Sequence, residues 1–317
     1  MNFNSIREEN IKFILARLQL AQALLEESDA LPGRAGYDFN NEKEWWRHAR
    51  HEREALVHYL LLTCFDRLGQ ERGFTTFQDW LSSKKSNHES ERLLALQNLK
   101  VTTSPLESAA ALDKQYRALY GVRNAFYRGI ESLPIEIQNK LMSSVTIGFD
   151  PIYGTLGPNT STPSYPLNDD VLERKLKLRY LYDKRNRFTH RLEQYHAAST
   201  PLGSHCNNGP SWQAMIRDSR LSYLSGHQDI VRLSNGGAYV YSTDWPFILF
   251  ETLHAAVESK FHRTDIKLRF AVRCFSSKTP GEVITAEVDH DQLKEFRTLE
   301  SQLWELHAKG GLPSRTR

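Results

Sequence analysis

The chain lacks most of the features that announce the common enzyme classes. Its three cysteines, Cys64, Cys206 and Cys274, are odd in number and far apart. They supply neither a disulfide framework nor a CxxC metal knuckle. Cys64 falls inside an apolar helical run and reads as core, and a reducing compartment suits all three. No stretch of about eighteen uninterrupted apolar residues occurs, so no membrane span is expected. The N-terminal MNFNSIREENIKF carries charge where a secretory leader needs an apolar run. A cytoplasmic protein is therefore expected. Twelve histidines raise the question of zinc, but no HExxH and no Cys/His group at ligand spacing accompanies them. His254 and His262 flank an apolar helix and read as boundary residues. A GxSxG elbow, a P-loop and a GxGxxG turn are missing as well. No metal and no cofactor is expected.

What is present suits a globular protein with a real core. The chain has 317 residues, 40% hydrophobic and 25% charged. That length allows one large domain or two modest ones. The net charge of +3 is too small to mark a nucleic-acid binder. Local charge says more. Between Arg174 and Arg191 stand Arg174, Lys175, Lys177, Arg179, Lys184, Arg185, Arg187 and Arg191, against the single acid Asp183. Such a strip can hold phosphates. It can equally be the solvated face of a helix.

The first half reads as helices. Apolar residues recur at helical spacing from Ile6 to Glu27, and Pro32-Gly33 ends that pattern. A second helix is expected from about Glu42 to Leu68, with Gly69 after its last apolar turn. Its stretch Ala55 to Leu62 is apolar almost all round and predicts a central position. Short helices are expected near Thr76 to Leu81 and Glu89 to Leu99. Pro105 opens a long pattern to Leu133, with Pro at a natural first-turn position. Residues 148–169, rich in Gly and Pro, read as a long loop. A helix then runs from Val171 to about His196. Beyond a Gly/Pro/Asn-rich stretch at 199–210, strands are expected at 237–241, after the turn Asn235-Gly236, and at Ile266–Val272 and Glu282–Val288. Helices are expected at Trp245–Phe261 and Gln292–His307. The fold class is thus mainly α. Residues 1–197 form a helical bundle, and residues 198–317 form a smaller mixed α/β C-terminal region.

The segment Arg185-Asn186-Arg187-Phe188-Thr189-His190 combines groups that RNA cleavage can use. A histidine with near-neutral pKa can move protons at the ribose 2′-hydroxyl and the leaving oxygen. An arginine fork can stabilise the phosphorane as charge builds. Only RNA supplies the attacking 2′-hydroxyl. Spacing imposes a demand. On a regular helix, Arg185 and His190 lie about 140° apart, whereas Asn186 and His190 share a face at i, i+4.

The form R-N-x-x-x-H resembles the active-site signature of the HEPN superfamily, an Arg and a His four to six residues apart, often with Asn after the Arg. The resemblance covers the motif and the helical setting of residues 1–197. It implies a HEPN-like helical bundle and a metal-independent endoribonuclease. His190 is then acid/base, with Asn186 as its support, and Arg185 is the phosphate clamp. It also implies a homodimer with a composite site, because two such motifs usually converge across a helical interface. A role as a toxin or anti-phage defence effector, held by an antitoxin or another regulatory partner, follows from the same likeness. Lys184, Arg187 and Arg191 become expected RNA contacts.

Two further segments bear on RNA. Trp45 to Arg53 interleaves aromatics and bases, so Arg47, Arg50 and His51 are candidate RNA contacts. The same segment also reads as a helix start with a tryptophan packed inside. Arg123-Asn-Ala-Phe-Tyr-Arg128 repeats the rhythm of the hexapeptide with Arg in place of His. It reads either as a degenerate second half-site or as a helix-face charge pair. Against the nuclease stands a different class, a non-catalytic helical module that binds RNA or a partner protein.

Overall fold

The structure is a computed structural model that describes residues 3–30, 56–97, 99, 104–152, 165–190, 200–201, 214–223, 226–234, 236–244, 247–262, 267–312 and 314–316. The fold is mainly helical, with a smaller sheet region towards the C-terminus. None of its described helices is long and apolar enough to cross a membrane.

Helix α1 (Phe3–Ala30) buries Ile11, Ile14, Leu18 and Ala21, a stripe at helical spacing. Helix α2 (56–68) is the central one. Val57, Leu60, Leu61, Leu62, Cys64, Phe65 and Leu68 are all buried. Burial pushes the Cys64 thiol up to about 12, so it is an inert part of the core. Residues 42–55 of the expected second helix lie outside the described residues.

Three helices follow: α3 (Phe77–Ser82), α4 (Ser86–Leu96) and α5 (Pro105–Tyr120). Glu91 of α4 ties them together. Its buried carboxylate accepts from Trp80 Nε1 at 2.7 Å and Tyr120 Oη at 3.0 Å, and it pairs with Arg72. Helix α5 starts with a capping box between Ser104 and Glu107, with Pro105 in the first turn.

The expected single helix from Pro105 to Leu133 is in fact two. Gly121 adopts ψ 129°, which ends α5, and α6 (Val122–Glu131) starts immediately after it. The turn is tight. A Cβ on Gly121 would sit 2.3 Å from the Arg117 carbonyl oxygen. Helix α6 then crosses the end of α2 backbone to backbone. A Cβ on Gly69 would meet the Ala125 carbonyl at 1.9 Å, and one on Gly129 would meet the Phe65 carbonyl at 2.0 Å. Only glycines permit this approach.

Helix α7 (Ile135–Ser143) leads into β1 (Val145–Asp150). The loop expected over 148–169 thus gives way to strand at 148–150 and at Tyr165–Pro166, and its residues 153–164 lie outside the described residues. Residues 148–150 are strand because β7 (Ala238–Asp244) offers six partners in antiparallel register, from Val145–Thr243 to Asp150–Ala238. Cross-strand pairing overrides the presence of Gly148. The first sheet has the order β2-β1-β7-β6-β3, where β2 is Tyr165–Pro166, β3 Thr200–Pro201 and β6 Gly226–Arg232. Helix α8 (Asp170–His190) rests on this sheet, with Tyr180 stacked on Tyr241 at 4.3 Å.

The second sheet, β10-β9-β8-β4-β5, contains the expected strands as β8 (Arg269–Phe275) and β9 (Glu282–Asp289). It adds β4 (Ala214–Arg217), β5 (Arg220–Tyr223) and β10 (Ser314–Thr316). Helix α9 (Phe247–Phe261) agrees with expectation, whereas the last helix divides at Glu295 into α10 (His290–Lys294) and α11 (Phe296–Ala308).

The expected boundary between 197 and 198 is not a seam. Strand β1, from before it, pairs along its full length with β7, from after it. One hydrophobic cluster joins Ile14, Leu61, Phe126 and Leu181 to Leu253, Val272 and Ile284. The apolar faces of the early helices are completed by the late elements.

Candidate functional site

Helix α8 carries the hexapeptide, and its backbone stays helical through His190. No break relieves the angular separation of Arg185 and His190. The structure instead shows what Arg185 does. Its Nε and Nη2 donate to Asp66 Oδ2 at 3.1 and 2.9 Å, and its Nη1 donates to Asn186 Oδ1 at 2.9 Å. The pair bridges α8 and the last turn of α2. Both side chains are largely covered, 13% and 15% exposed. Asn186 accepts from Arg185, and its expected support of His190 falls on a side chain outside the described residues.

Asp66 was not apparent as a site residue in the sequence. The signal was present, because it is a lone carboxylate near the end of a helix that is otherwise almost wholly buried. Burial raises its carboxyl, and the Arg185 charge and hydrogen bonds pull it back only in part, to about 6. Its Oδ1 is buried and has no hydrogen-bond partner among the described residues. Arg17 and Arg67 also act on it electrostatically. Both guanidiniums lie against the Phe13 ring, at 4.1 and 4.4 Å, and Arg17 bonds the Thr63 hydroxyl. Three arginines thus surround one carboxylate where α1, α2 and α8 meet, an excess of fixed positive charge that suits an anion.

The basic strip of α8 is less open than its composition implies. Lys177 pairs with Glu173 at 2.6 Å, Arg179 faces Asp183 at 3.7 Å, and Arg174 bonds Gln138. Lys184 is only 8% exposed, with Nζ 5.5 Å from the Tyr180 ring centre. An RNA contact from Lys184 would require it to leave that environment. Arg187 and His190 are placed on α8 by their backbones alone. Arg191, Arg47, Arg50 and His51 lie outside the described residues.

The Arg123–Arg128 segment forms most of α6. Arg128 donates to the carbonyls of Ala118 at 2.7 Å and of Leu119 and Gly69 at 3.4 Å. Asn124 Nδ2 donates to the Arg117 carbonyl at 2.7 Å. Both residues cap the end of α5, where orphan carbonyls need donors. Among the described residues Arg128 has no carboxylate partner, and the groups it meets are these carbonyls.

Comparison with protein-family models, with curated proteins and with solved structures found no match to this chain.

Proposed function

We propose that this chain is a metal-independent endoribonuclease in which Arg185 and His190 act on one phosphate. The supporting observation is the way Arg185 is held. Three of its N–H bonds are committed to Asp66 and Asn186. The fork is thereby fixed in direction before substrate arrives, with two N–H bonds left for phosphate oxygens. In this reading a His190 imidazole takes the proton of the ribose 2′-hydroxyl. The 2′-oxygen attacks phosphorus, the bond from phosphorus to the 5′-oxygen breaks, and that oxygen receives a proton. The products carry a 2′,3′-cyclic phosphate and a 5′-hydroxyl. The uninterrupted helix puts His190 on a different side from Arg185, which favours a composite site in which a second copy of the chain supplies the complementary motif. Acting in a toxin or anti-phage defence system, the enzyme would be held in check by an antitoxin or regulatory partner.

The same ion pair favours a second reading. A covered Arg–Asp bridge between two helices also suits a non-catalytic module that binds RNA or a protein. Product analysis separates the two. Purified protein is incubated with labelled RNA in excess EDTA, beside RNA with one 2′-deoxy position. The nuclease reading requires cyclic-phosphate ends and protection at the deoxy position. RNA bound but left intact, or cleaved at the deoxy position, refutes it.

A further inference from the structure

A pocket of about 580 Å³ opens where α5, α6 and α8 meet. That volume lies within the range of small-molecule sites. Arg117, Gly121, Arg123, Asn124, Tyr127 and Tyr182 line it. The chemistry of the lining is specific. The Tyr127 and Tyr182 rings lie 5.7 Å apart, and Phe126 backs both, at 5.9 and 5.5 Å. Arg123 stands over both tyrosines, at 5.7 and 5.9 Å. No carboxylate pairs with Arg123 among the described residues. Arg117 meets Asp113 through Nε at 2.7 Å, and its side chain is 72% exposed. That exposure leaves its guanidinium open to solvent at the pocket. The first turn of α6 holds no acidic residue and has no side-chain cap, so its N–H groups add to the positive character. Asn124 spends its amide nitrogen on α5, which leaves the amide oxygen as an acceptor.

We propose that this pocket binds one nucleotide unit, its base against Tyr127 and Tyr182 and its phosphate between Arg117 and Arg123. Aromatic faces with guanidiniums are the combination that holds single-stranded nucleotides. Tyr182 precedes Asn186 by four residues on α8, so the pocket and the Arg185 cluster share one helix face, one turn apart. The proposal rests on the RNA reading to this extent: a nucleotide in the pocket belongs to the same strand as the phosphate at Arg185. A free nucleoside monophosphate has the same chemistry, and the test distinguishes the two.

The test uses the full chain and an uncleavable 2′-O-methyl RNA of about six nucleotides carrying 2-aminopurine, whose fluorescence falls on stacking. Unlabelled adenosine monophosphate serves as competitor. Saturable quenching is expected, with about tenfold weaker binding in Arg123→Gln and loss of quenching in Tyr127→Leu. Arg123 is exposed, so its variant keeps the fold, and Lys309→Gln, exposed and outside both the basic strip and the pocket lining, serves as a neutral control. Competition by the monophosphate within tenfold of the oligonucleotide identifies a free nucleotide as the occupant. Failure to compete identifies the RNA strand. Quenching unchanged in Arg123→Gln and Tyr127→Leu, or no binding of either probe, overturns the proposal. Cleavage is scored separately. A chain that cleaves RNA normally with the pocket disabled loses this subsite and keeps the nuclease. One that binds here without cleaving does the reverse.

Discussion

Replacing Arg185 with Met tests how the centre is built. Met keeps the bulk of the aliphatic stem and removes the charge. Asp66 is then left covered, with neither of the bonds it accepts at 2.9 and 3.1 Å. Breaking a buried pair by removing one partner costs roughly 3–5 kcal/mol. The cost must depend on pH. The Asp66 carboxyl already titrates near 6 because of its burial, above its usual value of 3.8. A raised carboxyl is protonated more in the folded chain than in the unfolded one between those values. Its contribution to stability is therefore greatest below about pH 4 and is lost as pH rises through 6. Without Arg185 the carboxyl rises further, so the variant suffers most at pH 8. Near pH 5, where Asp66 is largely protonated with or without its partner, the deficit shrinks to about 1 kcal/mol. Urea unfolding at both pH values measures this. Asp66→Asn combined with Arg185→Met relieves the stranded charge, so the pair is more stable at pH 8 than Arg185→Met alone. Equal deficits at pH 5 and pH 8, or no rescue by Asp66→Asn, would refute the assigned coupling.

Other parts of the structure give their own tests. Gly129→Ala forces α6 away from the Phe65 carbonyl, one residue before Asp66, and should cost roughly 1–3 kcal/mol by overpacking with a loss of any RNA cleavage. Thermal unfolding beside an activity assay reads both effects. Glu91→Leu strands the Trp80 indole N–H and the Tyr120 hydroxyl, with an expected loss of about 2–3 kcal/mol in urea unfolding. Burial acts to raise the Glu251 carboxyl, but hydrogen bonds from His290 and Lys140 hold it below its usual value. Its stability contribution is present above the unfolded pKa and falls away on acidification, and Glu251→Gln should flatten that acid limb of the stability curve. Light scattering on active protein should give twice the chain mass, and an active monomer would contradict the composite site.

Periodicity made much of the scaffold legible. The buried stripe of α1, the apolar run of α2 and the alternation in β9 appear where the pattern puts them, while β8 lies three residues later than its expected Ile266–Val272. Long-range pairing hid the rest. Val145, Ile147 and Phe149 alternate as in a strand, but Gly148 and the Gly/Pro-rich residues after it obscure that signal, and the pairing with β7 decides it. The β4–β5 hairpin turns on Asp218 and Ser219, with φ of 49° and 57°, instead of the Asn-Gly pair that usually signals such a turn. Gly121 splits a continuous apolar pattern because of one backbone angle. At the site, the hexapeptide could be read but its partner could not. Asp66 precedes Arg185 by 119 residues, and only the packing of α2 on α8 joins them. The two tyrosines of the pocket are likewise brought together from α6 and α8.

The central claim is that His190 moves protons in RNA cleavage without a metal. The direct measurement is the single-turnover rate on a labelled RNA in excess EDTA, for the unaltered chain and for His190→Ala of verified fold. The account predicts cleavage that EDTA leaves unchanged and a loss of about 100-fold to 10,000-fold in the variant. Cleavage that persists in His190→Ala, or that requires added metal, would contradict it.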